Sequence, residues 1–162
     1  VISPAKAFLI TSMLKSVVRN GTADSLSDQG LTFPLAGKTG TTNEYRDAWF
    51  VGYTPEFLAL VWVGFDNGDP VRTTGSKAAL PIFADLVKSL PGKFSHEQFT
   101  IPPGVVKRKV CRKSGELPVF IRCPETYKEY FLEENQPQKK CHIHSHDSLL
   151  KRTFEGFKNF FR

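Results

Sequence analysis

Residues 36–67 read AGKTGTTNEYRDAWFVGYTPEFLALVWVGFDN, and this stretch decides the fold. It lies across three runs of residues that favour strands, at 35–42, 47–53 and 57–65, where Val, Phe, Trp and Thr are frequent. The last two runs meet at Tyr53-Thr54-Pro55-Glu56, which has the length and composition of a hairpin turn. The sequence therefore predicts three short antiparallel strands that are consecutive along the chain.

Helices are predicted on both sides of these strands. Ser3-Pro4 is a favourable helix start, because Ser caps the first turn and Pro fits its first position. Apolar residues follow at helical spacing as far as Asn20-Gly21, where we expect glycine to end the helix in the left-handed conformation. Residues 76–90 show a second apolar helical face, and 21–34 and 66–75 are predicted to be loops. The expected fold class is α+β, an antiparallel sheet packed against helices, with Trp49, Trp62 and Phe65 as core aromatics of the sheet.

The charge divides the chain into two regions. The net charge is +6, yet residues 1–90 contain eight basic and eight acidic residues. Residues 91–162 contain fourteen basic and eight acidic residues, together with every cysteine and histidine. Leu90-Pro91-Gly92 is a strong break signal between them. We therefore predict a domain at 1–92 and a basic extension at 93–162. Because the chain begins without Met and has no signal peptide, we expect it to be part of a longer protein.

The string Gly37-Lys38-Thr39 at first suggests a phosphate-binding loop. That motif needs another glycine where Thr32 stands, and it opens a helix, whereas β-rich sequence follows here. A strand at the rim of a sheet is a better interpretation, because its free backbone groups can pair with an extended substrate. Gly40 would let that substrate approach closely. The sequence therefore favours a binding strand over a nucleotide site.

The side chains of this strand suit a ligand carboxylate. Lys38 supplies a cation, and Thr39 and Thr41 supply hydroxyl groups. The backbone N–H of Thr41 is a candidate donor to an oxyanion. Lys38 and Thr39 leave opposite faces of a strand, and the sequence does not say which of the two lies over the pocket.

The surroundings of the string carry a resemblance to a known family. Residues 2–90, from ISPAKAFLITSML through the quoted stretch to SKAALPIFADLV, closely resemble the end of the transpeptidase domain of class A penicillin-binding proteins. These proteins are bifunctional peptidoglycan synthases, and Lys-Thr-Gly is an element of the serine acyl-transferases that recognise penicillin. The tail, with PPGVV, CRKSGELP and a final Cys-His, is more loosely similar to their C-terminal extensions. The resemblance implies a penicillin-binding-protein/serine β-lactamase-like fold.

The resemblance also implies a reaction, peptidoglycan DD-transpeptidation. In the family a serine of S-x-x-K attacks the D-Ala-D-Ala end of a stem peptide, an amine of a second strand resolves the acyl-enzyme, and β-lactams acylate the same serine. By motif match, Lys38 and Thr41 would be catalytic and Thr39, Gly40 and Thr41 would bind substrate, with no cofactor and no metal. The parent protein would also contain a glycosyltransferase domain. It would lie on the outer face of the bacterial cytoplasmic membrane, anchored by a segment outside this chain.

The nucleophile is not evident in this chain. Formal S-x-x-K matches begin at Ser3, Ser12 and Ser148, but the S-x-N that the family places between nucleophile and Lys-Thr-Gly is absent from the sequence. Ser3 is explained as a helix cap, and Ser12 lies within a predicted helix. We therefore expect the nucleophile to lie upstream of Val1 and the isolated chain to be inactive.

The cysteines of the extension allow two interpretations. Cys111, Cys123 and Cys141 occur with His142, His144 and His146 and could hold zinc, but the cysteine spacings lack the C-x2–4-C pairs typical of structural zinc. Disulfides form in the cell envelope, so the expected feature is a Cys123–Cys141 bridge, with Cys111–Cys123 as the alternative. One cysteine would be left over in either case.

Three further alternatives concern partners and reaction. Residues 148–162 form a basic amphipathic pattern that would either lie on an anionic membrane surface or dock on the protein itself. A serine β-lactamase or DD-carboxypeptidase would use the same acyl-enzyme with water as acceptor. A non-catalytic module would instead bind a partner or nucleic acid through the basic tail. Acidic residues interrupt any basic stripe there, so no nucleic-acid partner is expected.

Overall fold

The structure is a computed structural model that describes residues 1–90 and 96–145. The chain divides into two compact units, Val1–Ile101 and Pro102–Arg162. The domain boundary predicted after Gly92 and the amphipathic segment 148–162 both lie outside the described residues. Within the described part of the chain, no helix is both long enough and apolar enough to span a bilayer.

The first unit contains the predicted sheet. Its strands, in chain order, are β1 (Ala36–Thr41), β2 (Ala48–Tyr53) and β3 (Leu58–Val63), and they pair antiparallel in the order β1-β2-β3. Three α-helices accompany them among the described residues, and the segment predicted as a loop at 21–34 contains the short helix α2 (Ser25–Asp28). The three-strand prediction and the α+β fold class are confirmed. The elements are α1 (Pro4–Asn20), α2 (Ser25–Asp28), β1 (Ala36–Thr41), β2 (Ala48–Tyr53), β3 (Leu58–Val63) and α3 (Ala79–Lys88).

Helix α1 begins and ends at the predicted residues, but the glycine that follows it has another conformation than predicted. The Ser3 hydroxyl accepts a hydrogen bond from the Lys6 N–H at 3.4 Å and caps the first turn. The prediction of a left-handed glycine at the other end is wrong, because Gly21 has φ −129°. Glycine is required there by close packing instead: a Cβ at Gly21 would lie 2.9 Å from the Val17 carbonyl oxygen.

The core of the first unit lies between the sheet and its helices. Phe50 of β2 and Phe83 of α3 are fully buried, and their ring centroids are 4.9 Å apart in an edge-to-face arrangement. Gly52 makes room for this contact, since a Cβ there would lie 2.5 Å from the Phe83 ring. Other buried members of the cluster are Val18, Ala23, Leu26, Leu31, Leu35, Ala79, Leu80, Ala84 and Val87.

The predicted core aromatics are not in this core. Trp62 is 42% exposed, Phe65 is 57% exposed and Trp49 is half-buried. The reason is strand alternation. Trp49 precedes Phe50 on β2 and is paired with Trp62 on β3, so both indole side chains project from the face opposite to Phe50. We call the face of the sheet that carries Trp49 and Trp62 the outer face. On β3 it also presents Leu58 and Leu60, both exposed.

The second unit is built on a hairpin. Strands β4 (Val105–Cys111) and β5 (Thr126–Leu132) pair antiparallel along their whole length. Among residues 102–145, which the structure describes, only Val110, Cys111 and Cys141 are buried. The interior that these described residues form is therefore small, and two of the three residues buried in it are cysteines.

Candidate substrate-binding strand

Strand β1 lies at an edge of the sheet, and its register decides which side chains share a face. Thr39 is paired with Phe50, a core residue, so Thr39 and Thr41 lie on the core-facing side. Lys38, paired with Val51, and Gly40, paired with Trp49, therefore lie on the outer face. The structure thus answers the question that the sequence left open.

The backbone of β1 presents alternate residues to its free edge. The Thr42 N–H donates to the Asp47 carbonyl at 3.1 Å, which identifies 42/47 as a hydrogen-bonded pair. Because such pairs alternate in an antiparallel ladder, Lys38 and Gly40 also direct their backbone groups at β2. Thr39 and Thr41 direct theirs away from it. The free edge therefore offers the N–H and C=O groups of Thr39 and Thr41 to an extended ligand.

The Lys38 side chain bends toward that edge. It is exposed, and its ammonium donates a hydrogen bond to the Thr39 carbonyl oxygen at 2.8 Å. Within residues 1–90 and 96–145, Lys38 has no carboxylate within ion-pair distance. A ligand carboxylate at the edge would therefore meet a cation with no competing counterion.

The two threonine hydroxyls are held by loops. The Thr39 Oγ1 lies 2.9 Å from the Thr22 Oγ1, and the Thr41 Oγ1 accepts the Gly75 N–H at 3.1 Å. Because both hydroxyls lie on the core-facing side, the structure does not bring them onto the same face as the Lys38 ammonium. A single ligand can contact both the Lys38 ammonium and these hydroxyls only if it extends around the edge of the strand.

Gly75 is a supporting residue that the sequence analysis missed. A Cβ at Gly75 would collide with the Trp49 carbonyl oxygen and would lie 2.5 Å from the Gly40 carbonyl oxygen. Its own carbonyl accepts the N–H groups of Ala79 and Leu80, so the same residue joins β1 to the start of α3. The available signal was the glycine in Thr74-Gly75-Ser76, placed just before a helical pattern.

Replacing Gly75 with alanine is expected to lower the free energy of unfolding of the chain by about 1–3 kcal/mol, because the added methyl group overlaps backbone atoms of two strands. Urea unfolding of both chains measures the difference. Lys77→Ala, an exposed position two residues further on, is the matched control and is expected to change the value by less than about 0.5 kcal/mol. Equal stability of Gly75→Ala and the control would contradict the packing described.

The turn after β1 is fixed by side-chain contacts. Asp47 accepts hydrogen bonds from the Thr42 hydroxyl at 3.0 Å and the Trp62 indole N–H at 2.9 Å. Arg46 forms an ion pair with Glu44 at 2.6 Å. The hydrogen bonds that Arg46 donates to the Glu44 carboxylate, together with the negative charge of that carboxylate, raise the pKa of the Arg46 guanidinium. These contacts set the point at which β1 leaves the sheet.

A second cluster of reactive side chains lies in the other unit. The ligand atoms of Cys111, Cys123, Cys141 and His144 all lie within 4.8 Å of one another. The His144 Nδ1 is 3.2 Å from the Cys141 sulfur and 3.4 Å from the Cys111 sulfur. All three cysteines are free thiols, and the Cys123–Cys141 bridge is absent from this structure. His144 is one of the three histidines that the sequence offers as zinc ligands, and Cys141-x2-His144 has the spacing of a ligand pair.

The thiols of Cys111 and Cys123 have pKa values shifted in opposite directions. Burial raises the pKa of Cys111, but hydrogen bonds from the backbone of Ser114 and Lys113 and from the Cys141 side chain outweigh it and lower the pKa to about 6. Burial raises the pKa of Cys123 above its ordinary value. The Cys111 thiol therefore ionises more readily than the Cys123 thiol.

Comparison with known proteins identifies the family. Residues 1–88, more than half of the chain, match the model of the penicillin binding protein transpeptidase domain. The chain belongs to this family. Residues 101–146 match a second model, the C-terminal domain of penicillin-binding protein 1A. Penicillin-binding proteins are cell-envelope proteins, so this chain is part of one.

Individual relatives agree with this assignment. Penicillin-binding protein 1A of Clostridium botulinum strain Langeland is 31% identical over 158 residues, which cover 94% of this chain and 19% of that protein. The Pseudomonas aeruginosa protein of the same name is 36% identical over 140 residues, covering 85% and 17%. The chain thus spans about a fifth of the length of the penicillin-binding proteins that it matches.

A solved structure shows the same fold. The crystal structure of penicillin-binding protein 1A from Haemophilus influenzae matches with a TM-score of 0.76 and 27% sequence identity, covering 87% of this chain and 22% of that one. The penicillin-binding-protein fold expected from the sequence is confirmed, as is the resemblance on which it rested.

Proposed function

We propose that the protein to which this chain belongs is a peptidoglycan DD-transpeptidase, and that β1 forms one wall of its substrate cleft. The observation that carries the proposal is the free edge of β1, where the Lys38 ammonium, which has no carboxylate partner among the described residues, lies beside the backbone groups of Thr39 and Thr41. An edge of this kind binds extended peptides by strand addition. The match of residues 1–88 to the transpeptidase domain supports the same activity.

The proposed roles follow from this geometry. The stem peptide lies along β1, pairing with the backbone of Thr39 and Thr41, while Gly40 leaves the outer face open to it. The Lys38 ammonium moves from the Thr39 carbonyl to the carboxylate of the D-Ala-D-Ala end and assists proton transfer. The Thr41 N–H stabilises the oxyanion that forms when a serine upstream of this chain attacks the peptide carbonyl.

The proposal extends to location and partners. The stem peptides of peptidoglycan are the substrates, and β-lactams acylate the same serine. A glycosyltransferase domain and a membrane anchor lie elsewhere in the parent protein, on the outer face of the cytoplasmic membrane. For residues 148–162 the two alternatives stand side by side, contact with the membrane surface and docking on the protein itself. That the relatives are penicillin-binding proteins 1A supports this arrangement.

Fluorescent penicillin tests the proposal in the full-length protein. The expected result is a covalent label that survives denaturation and is released slowly, because a transpeptidase excludes water from its acyl-enzyme. Rapid release would favour the β-lactamase or carboxypeptidase alternative, and no label would contradict acyl transfer. The 162-residue chain alone is the matched control and is expected to remain unlabelled. Salt-dependent binding of DNA to that chain would support the non-catalytic alternative.

A further inference from the structure

The second unit brings four metal-binding side chains together from three separate segments. Cys111 ends β4, Cys123 follows in a turn before β5, and Cys141 and His144 come from the segment after β5. Their ligand atoms converge within 4.8 Å, although 33 residues separate the first from the last. Such convergence is produced by the fold of the unit and not by proximity in sequence.

Each segment is held in place by its own backbone. In the turn after β4, the Gly115 N–H donates to the Cys111 carbonyl at 2.8 Å, with Gly115 at φ +71°, so that the backbone curls around the Cys111 sulfur. In the second turn, the Cys123 N–H donates to the Val119 carbonyl at 3.1 Å, and the Val119 N–H points at the Cys123 sulfur at 3.3 Å. Both sulfurs are therefore oriented by turns that wrap them.

The third segment is tied to the first. The Cys141 N–H donates to the Leu117 carbonyl at 2.8 Å, and the Leu117 N–H donates to the Lys139 carbonyl at 3.0 Å. Glu116 accepts hydrogen bonds from both the backbone N–H and the ring of His142, at 2.9 and 2.7 Å. His142 is thus engaged outside the cluster, while His144 turns its Nδ1 to the sulfurs.

The described residues of the unit form little core. Its described buried residues are Val110, Cys111 and Cys141, and a two-stranded hairpin is marginally stable in water by itself. Small units with so little core are stabilised by disulfides or by metal ions. A single disulfide would leave one thiol and the histidine unused, whereas a metal ion would use all four side chains.

We propose that Cys111, Cys123, Cys141 and His144 bind one zinc ion as a structural Cys3His site. Zinc–sulfur bonds of about 2.3 Å and a zinc–nitrogen bond of about 2.0–2.1 Å place tetrahedral ligand atoms about 3.4–3.8 Å apart, inside the 4.8 Å within which the four observed ligand atoms lie. Thiolates and imidazole select zinc over magnesium or calcium. Binding releases the thiol protons to solvent, so the sulfurs coordinate as thiolates. Four protein ligands leave no open position, so the ion stabilises the unit and does no chemistry. The proposal is independent of the transpeptidase activity.

Metal analysis of the whole chain tests the site. After expression with added zinc and purification with reductant but without chelator, we expect one zinc per chain and three thiols protected from a thiol reagent until chelator is added. Cobalt reconstitution is expected to give thiolate charge-transfer bands and the strong visible bands of tetrahedral cobalt. A chain with no bound zinc under these conditions, or one whose mass without reductant is lower by two hydrogens, would overturn the proposal.

Variants of the two neighbouring histidines sharpen the test. His144→Ala is expected to weaken zinc affinity by about tenfold or more, and His144→Cys to restore it, because a fourth thiolate completes the same tetrahedron. His142→Ala is the matched control: it lies two residues away, is exposed and keeps its backbone contact, and should retain one zinc. Equal affinities of the His144→Ala and His142→Ala chains would overturn the assignment of His144.

Should a variant fail to fold, chelation of the wild-type chain gives the same answer. We expect chelation to abolish hydrogen-exchange protection at 105–111 and 126–132, and unchanged protection would contradict a structural ion.

Discussion

Substituting alanine for Lys38 is expected to slow acylation of the full-length protein by penicillin about 10²- to 10⁴-fold, the range that general acid–base catalysis contributes. The Lys38 ammonium is the cation at the free edge of β1, and it has no counterion among the described residues. Its removal takes away both the attraction for the ligand carboxylate and the proposed proton transfer. The effect should fall on the rate of acylation and leave the stability of the fold unchanged, since the side chain is exposed.

The second-order rate constant of labelling by fluorescent penicillin measures this effect. Lys88→Ala provides the control, because Lys88 is an exposed lysine of α3 that pairs with Asp85 at 3.9 Å and lies on another element. Its substitution should leave the labelling rate unchanged. If Lys38→Ala labelled as fast as Lys88→Ala, the proposed role of Lys38 would be excluded.

Truncating Phe83 to alanine is expected to cost about 3–5 kcal/mol of unfolding free energy, the largest stability effect among the variants that we propose. The ring is fully buried, contacts Phe50 edge-to-face and fills the space that Gly52 leaves open on β2. Neighbouring residues cannot easily close the cavity, because the sheet on one side is rigid. The loss therefore includes both the transfer of the ring to water and the cavity that remains.

Urea unfolding of the Phe83→Ala and Ile82→Ala chains provides the comparison. Ile82 is the preceding residue of the same helix and is 51% exposed, so its truncation is expected to cost less than about 1 kcal/mol. Helix propensity changes in the same direction in both variants, which isolates the burial of Phe83. Similar losses in the two variants would show that the side chain of Phe83 is not central to the core.

The strands could be predicted because their signals are local. Runs of β-forming residues and the turn at 53–56 depend on neighbouring residues only, and the same holds for the Ser3 cap. The face of each side chain could not be predicted, because β2 and β3 carry large apolar residues on both faces. Hydrophobicity alone therefore assigned Trp62 to a core that Phe50 occupies.

The candidate site shows the same difference between features that are local in the sequence and features that depend on strand pairing. Sequence alone placed Lys38 and Thr39 on opposite faces of one strand, because side chains alternate with a period of two. It could not say which face is covered, since that depends on the pairing of Thr39 with Phe50. The contact of Thr41 with Gly75 spans 34 residues, so no local pattern reveals it. The Cys141-x2-His144 spacing is visible in the sequence, but the cysteines lie too far apart to form the C-x2–4-C pairs that are typical of structural zinc sites.

The alternation of β1 has a consequence for ligand length. A peptide that pairs with the edge and slips by one residue, about 3.4 Å, turns every side chain and its terminal carboxylate to the opposite face. Because the Lys38 side chain leaves the outer face and the threonine hydroxyls lie on the other, such a slip exchanges the groups that the carboxylate meets. A carboxylate terminus displaced by two residues therefore stays on the same face of the strand. A terminus displaced by an odd number of residues meets the groups of the opposite face.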